Sequence, residues 1–151
     1  VMQDSVTFIG ESCFRFCDSL TNIFIPNGVT TIEKETFSFC NSLTTINISE
    51  GVKVIRNGAF AHCRSLKHII IPDSVTNIGD GAFFGCENLT NVTLPTGLIT
   101  VGKGVFGGCK SLTSIIIPRG VTCFSKEAFG DEDPLAPPEI RHLWDEPDYP
   151  F

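Results

Sequence analysis

The sequence predicts an α/β solenoid leaning to β. In it, 23-residue coils each give one strand to a parallel wall and a short helical or extended segment to the wall opposite. Three observations predict this. Phe14, Phe37, Phe60, Phe83, Phe106 and Phe129 lie 23 residues apart. Cys17, Cys40, Cys63, Cys86 and Cys109 keep the same spacing, and so do Leu20, Leu43, Leu66, Leu89 and Leu112. Three residue types sharing one uninterrupted period mark stacked structural units. The composition agrees: 13 Phe, 14 Gly and 7 Cys stand against one Trp, one Tyr and one Met in 151 residues.

Each coil can be justified in order. Leu20, Ile23 and Ile25 bracket Thr21, Asn22 and Phe24, an inward and outward alternation that makes a short strand. Pro26 ends it, because proline has no N–H for the next rung of the ladder. Asn27-Gly28 supplies turn chemistry. Val29 and Ile32 suggest a second extended segment on the far wall. The Ala59-Phe-Ala-His-Cys63 segment fits a short helical turn, since Ala, Phe and Cys at spacings of three and four share one face. One unit cannot bury its apolar face alone. Stacking buries a continuous core with neighbouring strands about 4.8 Å apart, and the phenylalanines become its spine.

The stretches Leu66-Lys-His-Ile-Ile-Ile-Pro72, Val75-Thr-Asn-Ile78 and Ala82-Phe-Phe-Gly-Cys86 recur along residues 5–129. They resemble the leucine-rich repeat superfamily, and within it the BspA-like class. The chain departs from the commonest leucine-rich pattern, which has Asn or Cys at position nine of the unit. Gly28, Gly51, Ser74, Gly97 and Gly120 stand there instead, and the Cys column comes later in the coil, as in the BspA-like class. The resemblance implies a right-handed solenoid that binds partners on its concave strand face. It also implies a biology of surface and adhesion proteins.

The cysteines read as core rather than chemistry. Five occupy one repeat position and stack as small hydrophobes. Cys13 takes the position of Ala59 and Ala82 and is expected in the core, while Cys123 is expected at the surface. No Cys-x-x-Cys or His pair at ligand spacing is present, so no metal and no cofactor are expected. Gly102-Lys-Gly-Val-Phe-Gly107 matches a dinucleotide fingerprint, but Phe106 inside it is a spine residue and no strand–turn–long-helix unit surrounds it. His62, His68 and His142 sit in no triad-like motif. The expectation is that the chain is not an enzyme.

Binding is expected on the outward strand positions, which are mostly small, neutral and hydrogen-bonding. The candidates are Phe24, Asn47, Lys67, His68, Ile70, Asn91, Thr93 and Ile116, with Lys67, His68 and Ile70 as the centre of a contact patch. Asn47 and Asn91 also begin Asn-x-Ser/Thr sequons, as does Asn88. The net charge of −6 argues against nucleic acid. No apolar run reaches the roughly 18 residues that would insert in a membrane. Residues 1–129 balance ten acids with ten bases, so the whole excess sits in residues 130–151, with seven acids and one base. The expected partner is a protein or a glycan.

Two regions follow: a solenoid of about five coils over 1–129, and an acidic, Pro- and aromatic-rich segment over 130–151. That segment reads either as a cap over the last coil, with Ile140, Leu143 and Trp144 on one helical face, or as a docking motif that also carries Tyr149. Val1 to Ser5 resemble a truncated coil, so the chain can be a fragment or a spacer within a longer array. The leading function is a non-catalytic recognition scaffold of surface or adhesion type. The alternative is an intracellular adaptor whose tail docks on a larger complex. Family resemblance points to the cell surface; a column of free thiols and the lack of a visible signal peptide point to the cytoplasm.

Overall fold

The computed structural model describes residues 2–118, 121, 123, 124 and 126–130. The expectations for Ile140, Leu143, Trp144, Tyr149 and the rest of the tail lie outside them. One wall consists of β1 (Asn22–Ile25), β3 (Thr45–Ile48), β5 (His68–Ile70) and β7 (Asn91–Thr93), extended by a bridge from Thr93 to Ile116. A second wall, β2 (Thr31–Ile32), β4 (Val54–Ile55), β6 (Asn77–Ile78) and β8 (Thr100–Val101), forms one parallel sheet in that order. The register is the sequence period itself: Asn22 pairs with Thr45, Ile55 with Ile78 and His68 with Asn91. No helix among the described residues is long and apolar enough to cross a membrane.

The repeated columns fill the interior. Phe37, Phe60 and Phe83 are fully buried, and each stacks on the next with ring centroids 5.3 and 5.4 Å apart. Phe14 and Phe106 extend the column at its two ends, and Phe124 and Phe129 close on Phe106. Leu43, Leu66 and Leu89 and the inward isoleucines complete the same cluster. Burial of such side chains contributes roughly 1.5–3 kcal/mol apiece.

The third side of each coil differs from the expected helical turn. Among the described residues only Lys126–Phe129 forms a helical turn there, a 3-10 one. Elsewhere the Ala-Phe-x-x-Cys segment is a chain of tight turns, because every fourth residue has positive φ: Glu35 and Phe39, Gly58 and His62, Gly81 and Gly85. A left-handed residue at that interval breaks any helical ladder. Local bonds such as Ser38 N to Glu35 O then alternate with bonds to the next coil, such as Phe37 N to Ala59 O at 2.8 Å and Phe60 N to Ala82 O at 2.8 Å. The turns thereby act as a third ladder along the solenoid.

The thiols have a polar task inside this core. Cys40 Sγ donates to the Phe14 carbonyl (3.0 Å), Cys63 to Phe37 (3.2 Å), Cys86 to Phe60 (3.2 Å) and Cys109 to Phe83 (3.3 Å). Cys13, expected in the core, is exposed instead. It starts its column, so a neighbouring coil flanks it on one side only. Cys123, expected at the surface, is half-buried against the core, its Sγ 3.8 Å from the Leu98 carbonyl.

Burial pushes the Cys40 thiol up to about 11 and raises Cys63 and Cys86 further. The folded chain therefore keeps protons that the unfolded chain gives up near pH 9, and stability falls as pH rises from about 9 towards 11. Two results are expected. A thiol reagent at pH 8 modifies Cys13 rapidly and leaves Cys40, Cys63, Cys86 and Cys109 protected until denaturant is added. The urea midpoint at pH 10 lies below that at pH 8, and Cys63→Ala narrows the difference. Rapid modification of all seven thiols in the native chain would contradict the buried column.

Candidate functional site

The first wall presents three columns to solvent. Phe24, Asn47, Ile70, Thr93 and Ile116 form one, by the pairs Phe24–Asn47 and Ile70–Thr93 and the bridge from Thr93 to Ile116. His68 and Asn91 pair in the next, and Lys67 stands exposed before His68. The other seven candidates thus share one face by strand alternation, since Ile23, Ile46, Ile69, Val92 and Ile115 beside them point inward and are buried, while Lys67 is exposed just ahead of β5. Along the leading column, apolar residues occupy every second coil. Phe24 is 40% exposed, Ile70 69% and Ile116 80%.

A small polar network lies at the centre. His68 Nδ1 is 3.1 Å from Asn91 Oδ1, which also accepts from Thr90 Oγ1 at 2.9 Å. An amide oxygen only accepts, so Nδ1 carries the hydrogen and Nε2 remains for a ligand. Thr90 Oγ1 also lies 3.0 Å from the Lys67 carbonyl, and its single hydrogen serves one of these two acceptors at a time. The outward positions of this wall include Lys67 and His68 but no carboxylate. The acids of the coils lie elsewhere, and some form ion pairs along the turn side, such as Arg15–Glu35 (2.9 Å) and Arg56–Glu33 (3.0 Å).

The wall is not continuous. β1 pairs with β3, and β5 with β7, but β3 and β5 lie side by side without a ladder. The second wall stays paired across the same two coils through Val54–Asn77 and Ile55–Ile78. The gap therefore opens on the strand face alone. It forms a groove of about 360 Å³ lined by Thr45, Ile46, Asn47, Ile48, His68 and Ile70. Sequence reasoning found three of these residues but not the groove. One signal was present. Pro26, Pro72, Pro95 and Pro118 follow the strand position of their coils, whereas Ser49 follows β3, and its buried hydroxyl has no hydrogen-bond partner.

A second aromatic row also escaped the sequence reading. Phe16, Phe39 and His62 stack at 4.9 and 4.5 Å on the turn side, and Phe84 meets the His62 ring edge-on at 5.4 Å. The Arg15 guanidinium lies over the Phe16 ring, 4.8 Å from its centroid. Phe16, Phe39 and His62 keep the 23-residue spacing, so the signal was in the sequence. Burial, and secondarily Arg64, hold the His62 imidazole below its usual range. The folded chain thus takes up this proton less readily than the unfolded one, so stability falls as pH drops below about 6.5.

The BspA type leucine rich repeat region matches residues 3–136 in six copies. No curated relative matches the chain. Among solved structures, a leucine-rich repeat protein of T. pallidum is 34% identical with a TM-score of 0.70, over 72% of this chain and 50% of its own. One from Bacteroides ovatus is 36% identical with a TM-score of 0.54, over 73% and 34%. One from Eubacterium ventriosum is 30% identical with a TM-score of 0.54, over 65% and 33%. The chain thus spans half or less of the length of these proteins.

Proposed function

The chain belongs to the BspA-type leucine-rich repeat family, and from that premise we propose that it is a recognition scaffold whose strand face holds a protein or glycan partner. The family is in general a non-enzymatic repeat scaffold. The observation that carries the reading is the asymmetry of the coil surface. The strand face exposes Phe24, Ile70 and Ile116 among amides and hydroxyls, with no carboxylate, while the acids of the coils lie elsewhere, Glu33 and Glu35 among them in ion pairs on the turn side. Large exposed apolar residues aligned on one rigid face favour contact with a partner. A surface or adhesion role fits the family. Free thiols do not argue strongly for a reducing compartment, because four of them are buried and held protonated or hydrogen-bonded to carbonyls.

The test uses the purified chain on a panel of immobilised extracellular matrix proteins and on a glycan array. The variant Lys67→Ser/His68→Ser/Ile70→Ser should lose at least ten-fold in affinity for whatever the wild type binds. The variant Lys53→Ser/Asn77→Ser/Thr100→Ser, on the second wall, should keep it. The reverse pattern would move the binding face to the other side of the solenoid.

A further inference from the structure

We propose that Asn27 is a site of self-modification, at which the Gly28 backbone nitrogen closes on the Asn27 side-chain amide and converts the residue to aspartate and isoaspartate. The chain has three places where Asn or Asp precedes glycine: Asn27-Gly28, Asn57-Gly58 and Asp80-Gly81. Such pairs are prone to this reaction, because glycine has no side chain to hinder ring closure. The fold ties down two of the three. Gly58 N donates to the Asp80 carbonyl and Gly81 N to the Lys103 carbonyl, both at 2.9 Å. Asn57 Oδ1 accepts from Asp80 N at 3.2 Å, and Asp80 Oδ1 from Lys103 N at 2.9 Å. Nucleophile and electrophile are both held in the turn-side ladder, and rotation into a ring would break both bonds.

Asn27 and Gly28 are differently placed. They are the central residues of a turn closed by Val29 N on the Pro26 carbonyl at 3.0 Å. Asn27 is exposed, and neither its side chain nor Gly28 N has a hydrogen-bond partner among the described residues. In the next two coils the same place holds Glu50 and Asp73, whose carboxylates accept from Ser74 N and Thr96 N. Asn27 makes no such bond, so its amide is free to turn toward Gly28.

The step balances with water alone. Gly28 N, losing its proton to hydroxide, attacks Asn27 Cγ. The new N–Cγ bond closes a succinimide, and the side-chain nitrogen leaves as ammonia, taking a proton from water. Water then opens the ring. Cleavage at Cγ restores the ordinary main chain and gives aspartate. Cleavage at the Asn27 main-chain carbonyl gives isoaspartate, whose main chain runs through Cβ and Cγ and is longer by one carbon. That carbon falls where the Asn27 carbonyl and Gly51 make their close approach, so isoaspartate loosens the contact between these two turns.

The test incubates the full chain at pH 8, native and in urea, and maps its peptides by mass and by separation of aspartate from isoaspartate. In the native chain Asn27 should convert at least ten-fold faster than Asn57, and faster still at pH 9. In urea the two rates should converge, since the bonds that hold Asn57 are gone. The isolated isoaspartate form should melt below Asn27→Asp, which carries the same charge on an ordinary main chain. Native conversion of Asn57 as fast as that of Asn27, or no native conversion at Asn27, would overturn the proposal. Equal melting of the isoaspartate form and Asn27→Asp would overturn its effect on the turn contact.

Discussion

Phe60→Ala and Phe83→Ala should each lower the free energy of unfolding by about 3–5 kcal/mol, and Phe14→Ala by distinctly less. Phe60 and Phe83 have no exposed surface, and each is covered on both ring faces, Phe60 by Phe37 and Phe83, Phe83 by Phe60 and Phe106. Truncation leaves a cavity in a column that the second wall and the turn-side ladder hold at fixed spacing, so the coils cannot collapse into it. Phe14 is half-buried and has one stacking neighbour, Phe37. Against a total stability of about 5–15 kcal/mol, the loss at either inner position is large. The double variant should be less destabilised than the sum of the singles, because the two rings touch and share one cavity. Urea midpoints measure all of this. A midpoint unmoved by Phe83→Ala would show that the aromatic column does not carry the fold.

Gly51→Ala should cost about 1–3 kcal/mol, whereas Gly97→Ala, at the same place in the repeat, should stay within about 0.5 kcal/mol. A Cβ on Gly51 would overlap the Asn27 carbonyl of the coil before it, and the obstacle is backbone rather than a side chain that can swing away. A Cβ on Gly97 would sit 3.7 Å from the Asp73 carbonyl oxygen, an ordinary contact. The chain already carries a side chain at this position in another coil: Ser74, whose hydroxyl donates to the Val52 carbonyl at 2.7 Å. The repeat position is therefore not restricted to glycine; the approach of the 27 and 51 turns is. Thermal melts of the two variants separate these cases, and equal shifts would contradict the close approach.

The period fixed by Phe, Cys and Leu made most of the architecture legible. It gave the register Asn22–Thr45, the inward isoleucines and the common face of Phe24, Ile70 and Ile116. Two features were hidden for physical reasons. The turn side reads as helical because Ala59, Phe60 and Cys63 have helical spacing, yet positive φ at Gly58 and His62 diverts the amides to the next coil. A bulky residue such as Phe39 at φ 60 gives no sign in the sequence that it is left-handed. The second is the seam, which depends on two strands failing to pair. Their sequences, Thr-Ile-Asn-Ile and His-Ile-Ile, look as competent to pair as those of β1 and β7, and only Ser49 in place of proline marks the spot. Cys13 was misplaced because periodicity says which column a residue joins, not whether both neighbours in that column cover it.

The stacking of the coils in a single register is tested most directly by ring-to-ring nuclear Overhauser contacts in the native chain with labelled phenylalanine. Contacts from Phe37 to Phe60 and from Phe60 to Phe83, with no solvent exposure of any of the three rings, are the expected result at centroid separations of 5.3 and 5.4 Å. Rings that show no mutual contact, or that respond to a soluble paramagnetic probe, would contradict it.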